Sequence, residues 1–311
     1  MKVLITGGGG FIGSHLADAL LSGGHDVLVL DNFATGRRGN LTPHPRLTVL
    51  EGTIADEAFV RGAFERFGPD RVVHAAAAYK DPEAWVEDTL TNVLGGVHVI
   101  QAARRAGVER FVYFQTALCY GTRPREQPVT LAHPRWPDCS YAISKTAAEE
   151  YLEMSGLSWF TFRLANIIGP RNLSGPVPAF FKRITAGQPC IVNRTRRDFV
   201  FVGDLVDLVL RALGGAGESG TYHASTGSDF AIRELYDEVA AALGVDRPPE
   251  EREPGPDDAK TILLDPTRTH QAFGWRATTP LKVTVARAVE WYREHGVDHA
   301  VTHLKLEPSK G

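Results

Sequence analysis

The stretch Thr6-Gly7-Gly8-Gly9-Gly10-Phe11-Ile12-Gly13 decides the fold of this chain. It joins an apolar run, Val3–Thr6, to a segment, Phe11–Ser22, whose apolar residues recur at helical spacing. Glycines at such a junction let the backbone turn tightly, and the following helix N-terminus can receive a phosphate group. Two overlapping glycine patterns fit, starting at Gly8 or at Gly7 and sharing Gly10 and Gly13. The stretch therefore predicts a pyrophosphate-binding loop between a first strand and a first helix.

Segments with strand and helix character alternate through the first half of the chain. Short β-branched and apolar runs predict strands at Val27–Leu30, Leu47–Leu50, Arg71–His74, Arg110–Gln115 and Trp159–Arg163. Helical spacing predicts helices at Asp56–Phe67, at Pro82–Ala106 with a break at Gly95-Gly96, and at Tyr141–Ser155. This alternation is typical of βαβ units, so we expect an α/β fold with a Rossmann-like, doubly wound parallel sheet.

The spacing of glycine and proline changes after residue 165. Gly169-Pro170, Gly175-Pro176 and Gly187-Gln188-Pro189 interrupt the chain closely and leave room for shorter elements. We expect a Rossmann domain over residues 1–165 and a smaller, partly interleaved lobe over residues 166–311, with some segments returning to the first domain. Helices are predicted in this half at Gly203–Leu213, Ile232–Leu243 and Lys282–His295.

Composition excludes several classes of protein. Across 311 residues, 34 Lys and Arg stand against 37 Asp and Glu, a net charge of −3, which does not favour nucleic-acid binding. The three cysteines lack the spacing of a disulfide framework or a zinc site, so we expect no metal and a reducing, cytoplasmic setting. We also expect neither a signal peptide nor a membrane helix.

An acidic residue ends the second predicted strand. Asp31 stands eighteen residues after Gly13, where a carboxylate can accept hydrogen bonds from adenosine ribose hydroxyls and repel a 2′-phosphate. This position favours NAD over NADP. Arg37 and Arg38 follow closely and could neutralise such a phosphate, so NADP stays the alternative cofactor.

Tyr141 and Lys145 are four residues apart in a predicted helix and therefore share one face. A free tyrosine has a pKa of about 10, and a neighbouring ammonium together with a positive nicotinamide ring would stabilise its phenolate. Thr116 follows the fifth predicted strand, at the edge where ligands of α/β sheets bind. The three side chains predict a base that acts on a substrate hydroxyl beside the cofactor.

Six segments occur in the order found in extended short-chain dehydrogenases/reductases. They are Thr6–Gly13, His74–Ala77, Asn92–Gly95, Thr116–Gly121, Tyr141–Lys145 and Arg197–Val200. Over most of its length the chain resembles the NAD-dependent nucleotide-sugar epimerase/dehydratase family, and especially its UDP-hexose 4-epimerase branch. The stretch Gln115–Gly121 is also similar to epimerase-like enzymes of bacterial O-antigen and surface-polysaccharide clusters.

The resemblance implies a reaction. Thr116, Tyr141 and Lys145 would be catalytic, and Thr116, Asn166 and Arg197 would contact the nucleotide sugar bound by the second lobe. Sugar 4,6-dehydratases usually carry Asp-Glu directly after the threonine, whereas this chain has Ala117-Leu118. We therefore expect 4-epimerisation of a UDP-hexose by transient oxidation at C4, rotation of the 4-keto sugar and re-reduction. A dehydratase or net oxidoreductase that makes a keto sugar is the alternative, and a non-catalytic dinucleotide sensor is a third possibility.

The resemblance also assigns a cofactor site and an assembly. The residues implied to bind NAD are Gly7, Gly10, Phe11, Ile12, Gly13, Asp31, Asn32, Thr53, Ile54, Ala75, Ala76, Ala77, Lys80, Tyr141 and Lys145. Thr53 departs from the family pattern, because relatives usually place an adenine-binding Asp there. Near the substrate, Glu253 stands where relatives often have Arg, and Cys119 is expected to be a small packed residue. A homodimer is expected through the helices around Pro82–Ala106 and Tyr141–Ser155.

Overall fold

The computed structural model describes residues 1–79, 81, 83–255 and 259–297. In chain order its strands are β1 (Lys2–Thr6), β2 (Asp26–Asp31), β3 (Leu47–Glu51), β4 (Arg71–His74), β5 (Arg110–Thr116), β6 (Trp159–Leu164), β7 (Asn166–Ile168), β8 (Ile191–Asn193), β9 (Arg196–Arg197), β10 (Phe199–Phe201), β11 (Gly220–Ala224), β12 (Phe230–Ala231) and β13 (Glu250–Arg252). Its α-helices are α1 (Phe11–Ser22), α2 (Glu57–Phe67), α3 (Trp85–Asp88), α4 (Gly96–Arg105), α5 (Ser140–Glu153), α6 (Pro176–Thr185), α7 (Val202–Leu213), α8 (Ile232–Leu243), α9 (Thr267–Phe273) and α10 (Leu281–His295).

Seven strands form one parallel sheet in the order β11-β6-β5-β4-β1-β2-β3. The chain runs outward from β1 to β3 and then crosses back to place β4 on the other side of β1. The predicted Rossmann-like sheet is therefore confirmed. The reversal of strand order opens a crevice beyond the carboxyl ends of β1 and β4, which is where ligands of such sheets bind.

Alternating side chains of the strands build a core on each face of the sheet. Val3 and Ile5 of β1 join an apolar cluster with α1 and α7, whereas Leu4 joins a second cluster with α2, α4 and α5. The strands read as continuous apolar runs because both of their faces are covered. These two layers hold the strand ends that carry the predicted site residues.

A third apolar cluster lies outside the sheet layers. Its buried residues run from Ile168 to Val297, and helices α6, α8 and α10 supply most of them. By contrast, α7 packs against α1, and β11 pairs with β6 at the edge of the main sheet. The second half of the chain thus contributes both to a separate core and to the first sheet.

The predicted break at Gly95-Gly96 is wrong. The backbone stays helical from α3 to α4 through a π-helical turn, Thr89–Gly95, and both glycines have right-handed helical angles. A Cβ on Gly95 would lie 2.6 Å from the Ile54 side chain, and one on Gly96 would lie 3.3 Å from Ala148. The glycines therefore permit close packing instead of ending the helix. Pro82, the predicted start of this helix, lies outside the described residues.

Helix α6 is absent from the predicted elements. Gly175-Pro176-Val177-Pro178 reads as an interruption, yet Pro176 is the first residue of this helix. Proline is favoured there because its missing N–H has no intrahelical partner to lose. None of the described helices is long and apolar enough to cross a membrane.

Candidate active site

The glycine loop leaves β1 under tight steric constraints. Gly7 has φ +69°, and its N–H donates to the Leu30 carbonyl at 2.8 Å. A Cβ on Gly7 would lie 2.7 Å from the Ala76 backbone, and one on Gly13 would lie 2.3 Å from the Gly7 carbonyl oxygen. The loop thus touches the segment after β4 on one side and α1 on the other, with no space for side chains at these contacts.

Helix α1 begins at Phe11 with Gly10 as its N-cap, and no described side chain caps it. Phe11 and Ile12 are half-buried in its first turn. The free N–H groups of a first turn, together with the helix dipole, favour an anion. The loop and helix end therefore fit the pyrophosphate of a dinucleotide such as NAD.

Asp31 is buried at the end of β2, beside the glycine loop. Its carboxylate accepts hydrogen bonds from Gly9 N at 2.8 Å and from Phe33 N at 2.7 Å. Burial raises the pKa of Asp31, and these two backbone bonds oppose that rise. Each carboxylate oxygen keeps further acceptor capacity, so Asp31 can also accept ribose hydroxyls. Asn32 follows it, exposed, with Oδ1 bonded to Ala34 N at 3.1 Å.

One of the two arginines that could favour a 2′-phosphate is held elsewhere. Arg38 forms an ion pair with Glu51 at the end of β3, and its guanidinium lies 4.6 Å from the centroid of the Phe33 ring. The Arg37 N–H donates to the Gly9 carbonyl at 2.9 Å. This arrangement fits NAD better than NADP.

The remaining predicted cofactor residues lie along the edges of β3 and β4. Ala75, Ala76 and Ala77 follow β4, half-buried, with Ala75 and Ala76 against the glycine loop. Thr53 is exposed and its Oγ1 accepts from Ala55 N at 3.2 Å, whereas Ile54 is buried under the π-helical turn. Lys80 lies outside the described residues.

Thr116, Tyr141 and Lys145 lie on elements that pack against each other at the carboxyl end of β5. Thr116 ends β5, and the two other residues lie on α5, which packs against β5 and the short turn after Thr116. Thr116 Oγ1 accepts from Leu118 N at 3.2 Å, which leaves the hydroxyl proton available for donation. The Lys145 ammonium lies 4.1 Å from the centroid of the Tyr113 ring.

Burial acts against charge on both α5 residues. It raises the pKa of Tyr141, and the nearby Tyr79, Cys139 and Asp88 add to the rise. It lowers the pKa of Lys145 to about 7, although the Glu149 carboxylate acts in the opposite direction. Positive charge placed beside the Tyr141 ring would reverse the first effect and make the phenol a usable base.

Two residues that the sequence did not single out also border this site. The Tyr79 and Tyr141 ring centroids are 6.4 Å apart. Asn92, in the π-helical turn, donates to the Ala78 carbonyl at 3.0 Å and to Ser144 Oγ at 2.9 Å, and accepts from Ala78 N at 2.8 Å. Asn92 thus ties the segment after β4 to α5, and its place in the Asn92–Gly95 motif was the available signal.

The predicted substrate residues lie on β7 and β9, two short strands outside the seven-stranded sheet. Asn166 is exposed at the start of β7, and both its backbone N–H (3.0 Å) and its side-chain amide (3.1 Å) donate to the Asp198 carbonyl. Arg197 precedes Asp198 and donates to the carbonyl of Ala259 at 2.7 Å. Asp198 is fully buried and accepts from Ser225 and Thr226, so it fixes the backbone that brings Asn166 and Arg197 together.

The neighbouring arginines belong to the surface. Arg194 forms ion pairs with Glu251 and Glu253, and Arg196 pairs with Asp229. Glu253 thus forms part of an exposed charge cluster. Cys119 is fully buried, and burial raises its pKa to about 12, so its thiol stays protonated.

Comparison with known proteins gives consistent results. The chain is 34% identical to UDP-glucose 4-epimerase from Mycolicibacterium smegmatis, over 94% of this chain and 99% of that protein. Its structure is similar to the Bordetella bronchiseptica enzyme WbmH in complex with NAD+, at 58% identity and a TM-score of 0.93, covering 95% of this chain and 99% of that one. It is also similar to WbmG of the same organism in complex with NAD and UDP, at 44% identity and a TM-score of 0.92, covering 98% of both chains.

A family model also matches most of the sheet-forming part of the chain. It spans residues 3–224, from β1 through β11, and therefore includes the glycine loop, Thr116, Tyr141 and Lys145. The chain belongs to the NAD dependent epimerase/dehydratase family.

Proposed function

We propose that this protein is an NAD-dependent nucleotide-sugar 4-epimerase whose substrate is a UDP-hexose. The observation that carries the proposal is the packing of α5, which bears Tyr141 and Lys145, against the end of β5, which bears Thr116, in a sheet whose first loop fits a dinucleotide. The UDP-glucose 4-epimerase relative and the UDP-bound neighbour support the choice of nucleotide.

In the reaction, Tyr141 removes the proton from O4 of the sugar. Lys145, one helical turn away, supplies positive charge that stabilises the phenolate, and Thr116 donates a hydrogen bond to the same oxygen. NAD, held by the glycine loop, Asp31 and Ala75–Ala77, would supply a reversible hydride acceptor for C4 of the sugar. Tyr141 then returns its proton to O4, so the reaction inverts one carbon and is redox-neutral.

The substrate diphosphate is assigned to the second lobe. Arg197 offers a planar guanidinium suited to phosphate oxygens, and Asn166 lies beside it on β7. Asp31, the glycine loop and Ala75–Ala77 would hold NAD on the opposite side of the crevice. The sugar would then lie between the two groups, within reach of Tyr141.

The residues after Thr116 argue against a dehydratase. Ala117 and Leu118 pack against an apolar cluster that includes Cys119 and Val129. Elimination of the C6 hydroxyl needs an acid for the leaving group and a base for the C5 proton. Apolar side chains at these positions supply neither group, which favours epimerisation over the net formation of a keto sugar.

Incubation of the purified protein with UDP- and dTDP-hexoses tests this proposal. Proton NMR should show the C4-inverted sugar without net absorbance of NADH at 340 nm. Tyr141→Phe is the matched control, since it keeps the ring and removes the hydroxyl. A 4-keto-6-deoxy product or persistent NADH would contradict the epimerase assignment and support the dehydratase or oxidoreductase alternative.

We also propose that the protein is a homodimer built on α3, α4 and α5. Large apolar side chains are exposed along these helices and the π-helical turn between α3 and α4, namely Trp85, Val86, Leu90, Leu94, Ile143, Tyr151 and Met154. Val86 is 74% and Met154 78% exposed. Apolar patches of this kind on a soluble surface mark association sites.

Sedimentation velocity tests the dimer. Met154→Glu should shift the protein toward monomer, because it places a charge in the apolar patch. Val283→Glu, an exposed apolar position on α10, is the control and should leave the dimer intact. A monomeric unaltered chain would refute this assembly without affecting the epimerase assignment.

The cellular setting of this activity is also a proposal. Cys119, Cys139 and Cys190 are all free thiols, which is in keeping with the reducing cytoplasm. The similarity of Gln115–Gly121 to enzymes of surface-polysaccharide clusters suggests that the product supplies polysaccharide biosynthesis. Deletion of the gene should then change the sugar composition of the surface polysaccharide.

A further inference from the structure

A buried carboxylate lies directly behind the catalytic groups. Glu149 is on α5, four residues after Lys145, and is fully buried. Its Oε1 accepts hydrogen bonds from Arg163 Nε at 3.1 Å and Nη2 at 2.9 Å, and Arg135 Nη1 lies 3.4 Å from Oε2. Such a buried ion pair contributes little net stability compared with an apolar pair of similar volume, so its presence here calls for another explanation.

Glu149 is linked to Thr116 through one side chain. Gln115 Nε2 donates to Glu149 Oε2 at 2.9 Å, and Gln115 Oε1 accepts from the backbone N–H of Thr116 at 2.8 Å. The Gln115 amide is therefore fixed at both ends. Its orientation sets the backbone at the end of β5, from which the Thr116 hydroxyl projects.

Glu149 is also linked to Lys145, through charge. The two residues are one helical turn apart, so their side chains are neighbours on α5. The other groups that the structure places near the Lys145 ammonium are the Tyr113 ring on β5 and His74 on β4. Burial holds the pKa of His74 at about 3 and so keeps this imidazole neutral, which leaves Glu149 as the charged group among these neighbours of Lys145.

Several charged and titratable groups face Glu149, including Glu153 on the same helix. Arg163 faces it from β6, and Arg135 faces it from the segment before α5. Cys119 and Tyr120, in the turn after β5, and Tyr113 also lie within electrostatic range. Burial lowers the pKa of Lys145 to about 7, and Glu149 opposes this effect. The carboxylate therefore keeps its influence on the lysine despite its two arginine partners.

We propose that Glu149 is a positioning residue for the epimerase reaction, holding Thr116 in place through Gln115 and keeping Lys145 protonated beside Tyr141. The inference rests on the proposed function. The hydrogen-bonded network of Gln115, Glu149 and Arg163 lies outside the substrate crevice in this proposal, because Glu149 is enclosed by α5, β5 and β6. Its two links act on different catalytic groups and can be separated by mutation.

The charge link is tested by titration of Lys145 in the NAD-loaded protein. Lysine labelled with carbon-13 at Cε reports ammonium deprotonation by NMR, and Lys145→Arg identifies the signal. Glu149→Gln should lower the pKa of Lys145 by about one unit, because a neighbouring opposite charge on the same helix face is lost. The alkaline limb of kcat should move down with it. Glu149→Asp keeps the charge and should restore both values.

Glu150→Gln is the matched control. Glu150 is the next residue on α5, but its side chain is exposed and pairs only with Arg135 among the described groups. Its substitution removes the same charge from the same helix and should leave the Lys145 titration unchanged. Equal shifts in Glu149→Gln and Glu150→Gln, or no shift in either, would overturn the charge link.

The geometric link is tested by Gln115→Met, which removes both amide bonds and leaves every charge in place. This variant should lower kcat about tenfold with little change in KM and no change in the Lys145 titration. It also decides the matter if Glu149→Gln does not fold, since a wild-type kcat in Gln115→Met would overturn the proposal. Absence of epimerase activity in the unaltered chain would count against the proposed function alone, because the lysine titration needs no turnover.

Discussion

Substitution of Gly7 by alanine should damage both the fold and the cofactor site. The left-handed φ of +69° costs an alanine about 1–2 kcal/mol. The added Cβ would also lie 2.7 Å from Ala76 Cα and N and 2.9 Å from Ala75 C, all of them backbone atoms that cannot move independently. Overpacking of this kind costs about 1–3 kcal/mol. We therefore expect Gly7→Ala to lose about 2–5 kcal/mol of unfolding free energy.

Any loop movement that relieves this strain would separate the glycine loop from the segment after β4. If Gly7→Ala raises the free energy of the NAD-bound state by about 2 kcal/mol relative to the free protein, NAD binding weakens roughly 30-fold. Gly39→Ala is the matched control, because no described atom lies within 4 Å of its added Cβ. Urea unfolding followed by circular dichroism, and NAD titration by calorimetry, measure the two effects. Equal midpoints and affinities for Gly7→Ala and Gly39→Ala would refute this account of the loop.

Three further outcomes are expected. Acidification from pH 7 to pH 5 should lower the free energy of unfolding by about 4 kcal/mol. Burial holds the pKa of His74 at about 3 and that of His223 at about 4 in the folded protein, whereas both histidines have a pKa of about 6.5 in the unfolded chain. The stabilisation that comes from keeping both imidazoles neutral is therefore present above about pH 6.5 and is lost as the pH falls below it. Urea unfolding at pH 7 and pH 5 measures the loss, and in His223→Gln the loss should be about half as large. Tyr141→Phe should lower kcat by about 10²–10⁴ while NAD stays bound, as measured by NMR turnover and NAD release on denaturation. Arg197→Gln should raise KM for the nucleotide sugar about tenfold or more with kcat nearly kept, as measured by initial rates.

The sequence predicted elements most accurately where the local pattern of apolar residues and glycines agrees with the packing of the whole sheet. The helix predicted at Phe11–Ser22 has the same bounds in the structure, and the strand predicted at Arg71–His74 also matches. Apolar side chains cover both faces of the central strands, and Gly23-Gly24 ends α1. The apolar pattern and the glycines that end the helix therefore indicate the same elements. Confirmation of the family follows from the same segments. The division at residue 165 stays a prediction.

Local patterns failed where long-range packing decides the structure. Gly95 and Gly96 lie in a continuous helix and pack closely against Ile54 and Ala148. Both neighbours are distant in the sequence, so the local pattern cannot indicate this contact. Strands such as β9 and β12 have two residues each, which is too short for any period to appear. Pro176 is different, because proline at a first helical position is a known local signal and α6 was predictable from it.

The network behind the site shows the same limit. Gln115, Glu149 and Arg163 come from β5, α5 and β6, and only the pairing of β5 with β6 brings them together. The spacing between Lys145 and Glu149 was a usable signal, since four residues on a helix place both on one face. The charge of Glu149, however, has meaning only once burial is known. A sequence pattern can nominate such a residue but cannot state its effect.

The pKa values of Tyr141 and Lys145 in the folded chain do not by themselves favour proton abstraction. Burial raises the pKa of Tyr141 and lowers that of Lys145 to about 7, so the chain alone disfavours the phenolate and ammonium pair that proton abstraction requires. Glu149 opposes the fall in the pKa of Lys145, whereas the groups that act on Tyr141, namely Tyr79, Cys139 and Asp88, all raise its pKa. In the proposed mechanism, the oxidised nicotinamide ring would supply the positive charge that lowers the pKa of Tyr141. On this proposal, Tyr141 would act as a base only when the hydride acceptor is present, and removal of the O4 proton would be coupled to oxidation at C4.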